Sequence, residues 1–227
     1  MDKDFALSLS SQIGIDVQQI VREEAELIVL KRLFESPISG EIIFKGGTAL
    51  RLIYNSPRFS EDLNFTAAGA ISSTDFKNVV NKIIAFDPRF SLKDLAAKFH
   101  THLAEFKIKE SWLEIPFSLK IEISKRPVVK ITSKDQNNAL AKSPSTNITV
   151  LTKACTIERI LQDKLRMLKE RKMPRDIFDA WFICQKTGMP FTQKKLGFPK
   201  NKIRQELRKF LPRSYYPVVD ELEKLNA

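Results

Sequence analysis

The spacing of apolar residues predicts helices on both sides of a shorter, strand-rich region. Residues 16–35 carry a broad apolar stripe at helical spacing, and the same periodicity recurs in four later segments: 74–86, 156–171, 174–187 and 200–211. Three glutamates of the first helix, Glu23, Glu24 and Glu26, are interpreted as a solvated face. The pattern therefore predicts long amphipathic helices around a smaller sheet.

Two apolar patterns predict strands of that sheet. The apolar run 42–44 has the length and composition of a buried strand. In 115–124 apolar and polar residues alternate, which is typical of a half-buried strand and places Lys120 and Glu122 together on its polar face. Residues 128–131 are predicted to form a partner strand.

A polar segment separates the strand region from the later helices. Residues 133–148 are rich in serine, asparagine and lysine and contain a proline, which is typical of a linker. We therefore predict an α/β (α+β) protein with one domain over residues 1–140 and a helical domain over residues 141–227.

The most distinctive chemistry follows the first predicted strand. Gly46 and Gly47 permit a ligand to approach the backbone closely. Thr48 is placed to cap the next helix, whose free N–H groups would attract an anion. On the following predicted strand, Asp62 and Asn64 are two residues apart and project to the same face.

This arrangement suits a phosphate site, because an acidic side chain beside the glycines would hold Mg²⁺ against bound phosphates. An ordinary glycine turn, with an exposed aspartate at a strand end, is the alternative. Spacing alone leaves both interpretations open.

Composition narrows the class of protein and its partners. The net charge of +11 favours an anionic partner, although such a charge also aids solubility. Two lone cysteines indicate a reducing compartment rather than a disulfide scaffold. With no apolar run long enough for a membrane span and no signal-peptide pattern, we expect a cytoplasmic protein without a membrane partner.

Three blocks of the sequence resemble one protein family. Residues 45–50 (KGGTAL) and 58–65 (RFSEDLNF) closely resemble the signature of the AbiEii/AbiGii-type, MenT-like nucleotidyltransferase toxins. The second block of that family usually reads R-x-S-x-D-x-D-F, so Asn64 stands where the family has a second metal-binding aspartate. Asparagine offers a carbonyl oxygen but no charge. Within 156–182, Lys164 and the segment from Arg175 to Asp179 resemble the family's C-terminal lysine and R-D-x-x-D motif.

The resemblance implies a fold and a set of site residues. It implies a nucleotidyltransferase-like N-terminal domain with a small mixed sheet, followed by a helical C-terminal domain that completes the active-site cleft. Catalytic roles are implied for Asp62, Lys164 and Asp176. Metal binding is implied for Asp62, Asn64 and Glu122; a plain surface pair with Lys120 is the alternative for Glu122. Nucleotide binding is implied for residues of all three blocks: Lys45, Gly46, Gly47, Thr48, Arg58, Ser60 and Lys164.

A basic segment near the C-terminus is a candidate RNA contact. Between 191 and 213 there are eight basic residues and one acidic residue. Phosphate backbones bind such surfaces through charge, and a solvated helix face is the alternative. The predicted RNA-binding residues are Lys200, Lys202, Arg204, Arg208 and Lys209.

By resemblance, the expected reaction is transfer of a nucleoside monophosphate from an NTP, with Mg²⁺, to a hydroxyl group of RNA. The 3′ end of tRNA is the expected acceptor. Such a protein would act as a growth-inhibiting toxin restrained by a separately encoded antitoxin. The alternative is a degenerate enzyme which, because of Asn64, binds nucleotide or RNA without catalysis.

Overall fold

A mixed sheet of seven strands organises the chain. The structure is a computed structural model that describes residues 1–125, 131–171, 173–193 and 197–225. The strands are β1 (Ile42–Lys45), β2 (Asp62–Ala67), β3 (Phe90–Lys98), β4 (Thr101–Ile108), β5 (Phe117–Ser124), β6 (Gln136–Ser143) and β7 (Thr146–Cys155). Their order across the sheet is β3-β4-β5-β2-β1-β7-β6. The central strand β2 runs antiparallel to β1 and parallel to β5.

Helices pack around this sheet and continue beyond it. They are α1 (Lys3–Ile13), α2 (Val17–Phe34), α3 (Gly46–Leu52), α4 (Ser73–Phe86), α5 (Ile157–Glu170), α6 (Pro174–Thr187), α7 (Lys202–Leu207) and α8 (Tyr216–Lys224). Helix α2 packs against the sheet, and α5 packs against α6. The mixed α/β fold and four of the five predicted helices are confirmed nearly to their ends, since their apolar stripes face a shared core.

The linker prediction for 133–148 is wrong. After a short 3₁₀ turn (Ser133–Asp135), these residues form β6 and the start of β7, an antiparallel hairpin at one edge of the sheet. The predicted boundary after residue 140 therefore falls inside a strand, and the sheet extends to Cys155. Both strands expose many of their side chains, so their sequence is polar without being irregular.

The solvated face predicted for α2 is also wrong. Glu23 and Glu26 are buried, and Glu23 accepts a hydrogen bond of 2.6 Å from Arg51 Nε. Glu24 pairs with Arg89 at 2.8 Å. Burial, together with the neighbouring Glu23, raises the pKa of Glu26 well above its ordinary value. Neighbouring elements cover this side of α2, and periodicity within one helix does not show that.

Two smaller predictions differ from the structure in their bounds, and a third falls mostly outside the described residues. Strand β5 begins at Phe117, after Pro116, and Ile115 is exposed instead of inward. The helix predicted over 200–211 ends at Leu207. Beyond it, the Phe210 carbonyl accepts a hydrogen bond of 2.8 Å from the Phe59 N–H. Most of the strand predicted over 128–131 lies outside the described residues.

Within the described ranges, no helix is both long and apolar enough to span a lipid bilayer.

Candidate active site

A cavity of about 340 Å³ lies where β1, β2 and β5 face α5 and the start of α6. Its lining joins residues from all three blocks that the sequence singled out. Nine of the predicted nucleotide- or metal-binding residues line it: Lys45, Gly46, Gly47, Arg58, Ser60, Asp62, Asn64, Glu122 and Lys164. The folded chain therefore brings these distant parts of the sequence to one place.

The two glycines form the turn from β1 into α3. Gly46 has a φ of +86°, a conformation that favours glycine. At Gly47 an added Cβ would collide with Nη2 of Arg58, so that position has no room for a side chain. Thr48 is fully buried inside α3 and donates a hydrogen bond of 2.6 Å to the Asp62 carbonyl. The prediction that Thr48 caps this helix is wrong, because the helix begins two residues earlier.

The strand cluster, defined as Asp62, Asn64, Lys120 and Glu122, forms one side of the cavity. In the register of β2 and β5, Asp62 lies opposite Lys120, and Asn64 lies opposite Glu122. The Lys120 Nζ is 3.3 Å from Oε2 of Glu122 and 4.0 Å from Oδ2 of Asp62. Glu122 therefore stands beside the strand of Asp62, as predicted, and also makes the pair with Lys120 that was the alternative. About a third of each charged side chain is exposed, so the cluster is open to a ligand.

The buried ion-pair network, defined as Arg58, Lys164, Asp176 and Asp179, lies on the other side. Arg58 donates two hydrogen bonds to Asp179, of 2.7 and 2.8 Å. Lys164 Nζ is 2.6 Å from Asp179 and 2.8 Å from Asp176. All four side chains are at least nine-tenths buried, and the two aspartates do not line the cavity. The network ties the loop before β2 to helices α5 and α6.

Charge compensation keeps this network ionised despite its burial. Burial alone would raise the pKa of Asp179, but the attraction and hydrogen bonds of Arg58 and Lys164 outweigh it and lower the pKa to about 2. Outside this network, burial lowers the pKa of the cavity residue Lys45, and attraction from Asp163 acts in the opposite direction. Asp179 therefore carries its charge throughout the neutral range.

Sequence reasoning missed several cationic residues of the cavity. Arg159 and Arg166, seven residues apart on α5, both line it, as does Arg171 between α5 and α6. Arg175, in the first turn of α6, also lines it; the resemblance placed it in the R-D-x-x-D motif but gave it no site role. Nε and Nη1 of Arg166 have no hydrogen-bond partner among the described residues. Helical spacing of these basic residues was the available signal, since positions seven apart lie on the same face of a helix.

The structure separates the five predicted RNA-binding residues. Arg208 and Lys209 line a second cavity of about 750 Å³, together with Gln18, Gln19 and Glu61. Lys200, Lys202 and Arg204 do not line it. Two further lysines of the basic segment, at 194 and 195, lie outside the described residues. Glu61, which lines this second cavity, directly precedes Asp62, which lines the first; the two cavities share no lining residue.

Two of those basic residues are held by a neighbouring helix. Asp220 of α8 accepts a hydrogen bond of 2.8 Å from Arg204 and one of 3.1 Å from Arg208. Lys209 is exposed, and no ion pair within the described part of the chain restrains it. Of the two predicted RNA-binding residues that line the second cavity, Lys209 is therefore the one whose charge is left available to a ligand.

One family model matches most of the chain, and solved structures share its fold. The sequence profile of the "Nucleotidyl transferase AbiEii toxin, Type IV TA system" family matches residues 28–214. The crystal structure of JHP933 from Helicobacter pylori superposes with a TM-score of 0.62 at 21% identity, covering 93% of this chain and 91% of that one. MenT4, a nucleotidyltransferase toxin from Mycobacterium tuberculosis, gives a TM-score of 0.56 at 13% identity, covering 93% and 83%. Among curated protein sequences, none matches this chain.

Proposed function

We propose, given that this chain belongs to the AbiEii family of nucleotidyltransferase toxins of type IV toxin–antitoxin systems, that it transfers a nucleoside monophosphate to RNA. The donor is an NTP, and the acceptor is a hydroxyl group at the 3′ end of tRNA. Membership of the family implies an antitoxin partner and a nucleotide substrate. The choice of RNA, and of tRNA in particular, is part of the proposal.

The observation that carries the proposal is the shared cavity. The glycine turn, the two carboxylates of the strand cluster, two further carboxylates (Asp163 and Glu170) and several cations line the same space. A triphosphate is strongly anionic, and cations held around it stabilise the charge that develops as pyrophosphate departs. Lys45, Arg166 and Arg175 are placed for that role beside Gly46 and Gly47. Ser60, which also lines the cavity, would add a hydroxyl donor.

The strand cluster suits a divalent cation. Nucleotidyltransferases of this kind generally use such a metal ion, and Mg²⁺ prefers oxygen ligands. Asp62 and Glu122 would hold the ion, with the amide oxygen of Asn64 as a neutral neighbour. When bound, Mg²⁺ would neutralise phosphate charge and favour the attacking hydroxylate. The protein's own part is to orient the NTP so that its α-phosphate faces the acceptor.

Lys164 and Asp176 act through position in this proposal. Lys164 lines the cavity, but its ammonium group is held by two buried carboxylates. Asp176 therefore orients Lys164 toward the polyphosphate and does not contact the substrate itself. Arg58 likewise supports the glycine turn from below, since its guanidinium fills the space beside Gly47.

The acceptor RNA is proposed to reach the site across the second cavity. Arg208 and Lys209 would contact its phosphates, and Glu61, also in the lining of that cavity, is the residue before Asp62. A blocked tRNA 3′ end would stop translation, and a protein acting on tRNA works in the cytoplasm. That is how this activity would inhibit growth until an antitoxin counteracts it.

The test is a labelling assay with total tRNA, Mg²⁺ and each labelled NTP in turn. Label on tRNA with one NTP, and its loss in Asp62→Ala, is the expected result. Asp94→Ala is the matched control, because Asp94 is an exposed carboxylate on the same sheet and outside the cavity. Label that survives in Asp62→Ala would contradict the assignment of the site. Lys164→Ala should also lose label, and circular dichroism must show that this variant is folded.

A second candidate function rests on Asn64. A degenerate enzyme would bind NTP or RNA and give no label with any NTP. Asn64→Asp would then restore transfer, if a missing carboxylate is the cause. An active wild-type protein that Asn64→Asp leaves no better would remove this alternative.

A further inference from the structure

We infer that Lys120 is a built-in cation of the metal site, so that Asp62 and Glu122 bind a single divalent ion and not two. This inference rests on the proposed function, because it concerns the metal of the same reaction. Its carrying observation is the place of Lys120 Nζ, within 4.0 Å of both carboxylates that would hold metal. A cation already stands where two metal ligands converge.

The strand register gives Lys120 that place. Side chains opposite each other on adjacent strands are close neighbours, and Lys120 lies opposite Asp62 on β2 and opposite Glu105 on β4. Glu105 is already paired with Lys93 at 2.6 Å. Lys120 is consequently left to the two carboxylates of the strand cluster, with Glu122 two residues along its own strand.

The charges of the cluster match one divalent ion. Asp62 and Glu122 each carry a negative charge, Lys120 a positive one, and Asn64 none. One divalent ion changes the sign of this cluster, and a second would be repelled by both the first ion and the ammonium group. The other two carboxylates that line the cavity, Asp163 and Glu170, are outside the cluster and pair with arginines of α5. Within the described part of the chain, no group of three His, Cys, Asp or Glu side chains could hold a metal.

Asn64 and Lys120 then have a joint effect, which is to limit the site to one metal ion. Gly46 lies close to the Asn64 side chain, since an added Cβ there would be 3.4 Å from Asn64 Cβ. A neutral amide leaves this side of the cluster without a second strong ligand. Lys120 supplies on the other side, as an ammonium group, part of the positive charge that a second metal ion would bring to the phosphates.

The experiment counts metal ions with Mn²⁺ as the probe, by the electron paramagnetic resonance signal of the free ion, without nucleotide. Wild-type protein should bind a single Mn²⁺. Lys120→Gln should still bind one but about tenfold more tightly, equivalent to about 1.4 kcal/mol, because the competing ammonium is gone. The Asn64→Asp, Lys120→Gln double variant should bind two.

Controls keep the count interpretable. Lys107→Gln makes the same charge change at an exposed lysine on the same face of the sheet, and should bind Mn²⁺ as the wild type does. Lys120→Arg keeps the charge and should also resemble the wild type. Because a third of the Lys120 side chain is exposed, the thermal unfolding midpoint of the protein should change little in these variants.

Three results would each overturn the inference: a wild-type protein that binds two Mn²⁺, a Lys120→Gln variant whose affinity and count both equal those of the wild type, or a double variant limited to one ion. The labelling assay reports separately on the proposed function. A wild-type protein that binds one Mn²⁺ and labels no RNA would contradict that function and leave the single-ion site standing.

Discussion

The strand cluster and the buried ion-pair network face each other across one cavity and hold their charges differently. In the strand cluster, Lys120 lies 3.3 and 4.0 Å from its partners, and a third of each side chain meets solvent. In the network, the pairs measure 2.6–2.8 Å and are almost fully buried. Exposed pairs contribute little to stability, whereas removing one partner of a buried pair is strongly destabilising.

The difference assigns different work to similar residues. Ligand atoms are able to displace the loose pairs of the strand cluster, so those carboxylates are free for the divalent ion of the proposed function. The network is fixed before any ligand arrives and keeps Lys164 and the glycine turn in position. Acidic and basic residues are thus held in exchangeable pairs in the strand cluster and in fixed pairs in the buried network.

The largest effect is expected from Asp179→Asn. This change leaves Arg58 and Lys164 buried beside a neutral amide, and it should lower the free energy of unfolding by about 3–5 kcal/mol. Asp62→Asn is the matched change in the strand cluster and should alter it by less than about 1 kcal/mol. Urea unfolding followed by circular dichroism measures both. Equal losses in the two variants would contradict the difference in stability between the exposed and the buried pairs.

Gly47→Ala should displace part of the buried ion-pair network from the side of the cavity. The new methyl group would collide with Arg58 Nη2 and push that side chain away from Asp179. Overpacking of this kind should cost up to about 3 kcal/mol of unfolding free energy. Gly40→Ala is the control, because a Cβ at Gly40 meets nothing within 4 Å. A Gly47→Ala protein as stable as Gly40→Ala would show that Arg58 has room to move.

Acid should remove stability through Asp179. Its pKa is about 2 in the folded protein and 3.8 ordinarily, so the folded state binds its proton later than the unfolded state does. This contribution, roughly 2 kcal/mol, is complete above about pH 4 and is lost as the pH falls toward 2. The measurement compares wild type with Asp179→Asn by urea unfolding between pH 6 and pH 3. Their difference should shrink as the pH falls; a constant difference would rule out this titration.

The smallest effect concerns RNA affinity at the second cavity. Lys209→Glu should weaken binding of a single-stranded oligoribonucleotide about tenfold or less and reduce its salt dependence by about one counterion. Lys202→Glu, at an exposed lysine outside this cavity, should change it less. Fluorescence anisotropy at several salt concentrations measures both. A larger loss in Lys202→Glu would move the RNA contact to helix α7.

The sequence predicts those elements whose contacts leave a periodic pattern of apolar and polar residues, and it misses elements and contacts that leave none. Strand β5 was predictable because its two faces meet different surroundings, and alternation records that. Strands β3 and β6 expose residues on both faces, so no alternation marks them. The pairing of Arg58 with Asp179 joins positions 121 residues apart, and no periodicity reports such a contact. Motif resemblance gathered these residues into one site, but only the structure showed which are exposed and which are buried.

The contact between Arg58 and Asp179 also limits the order in which parts of the protein are able to fold during synthesis on the ribosome. The glycine turn and Asp62 are synthesised more than a hundred residues before α6, and β1 must wait for its parallel neighbour β7. Contacts so far apart in sequence form late and slow folding. A nascent chain that ends before α6 therefore carries the strand cluster without its support, and catalytic competence arrives only after α6 has been synthesised.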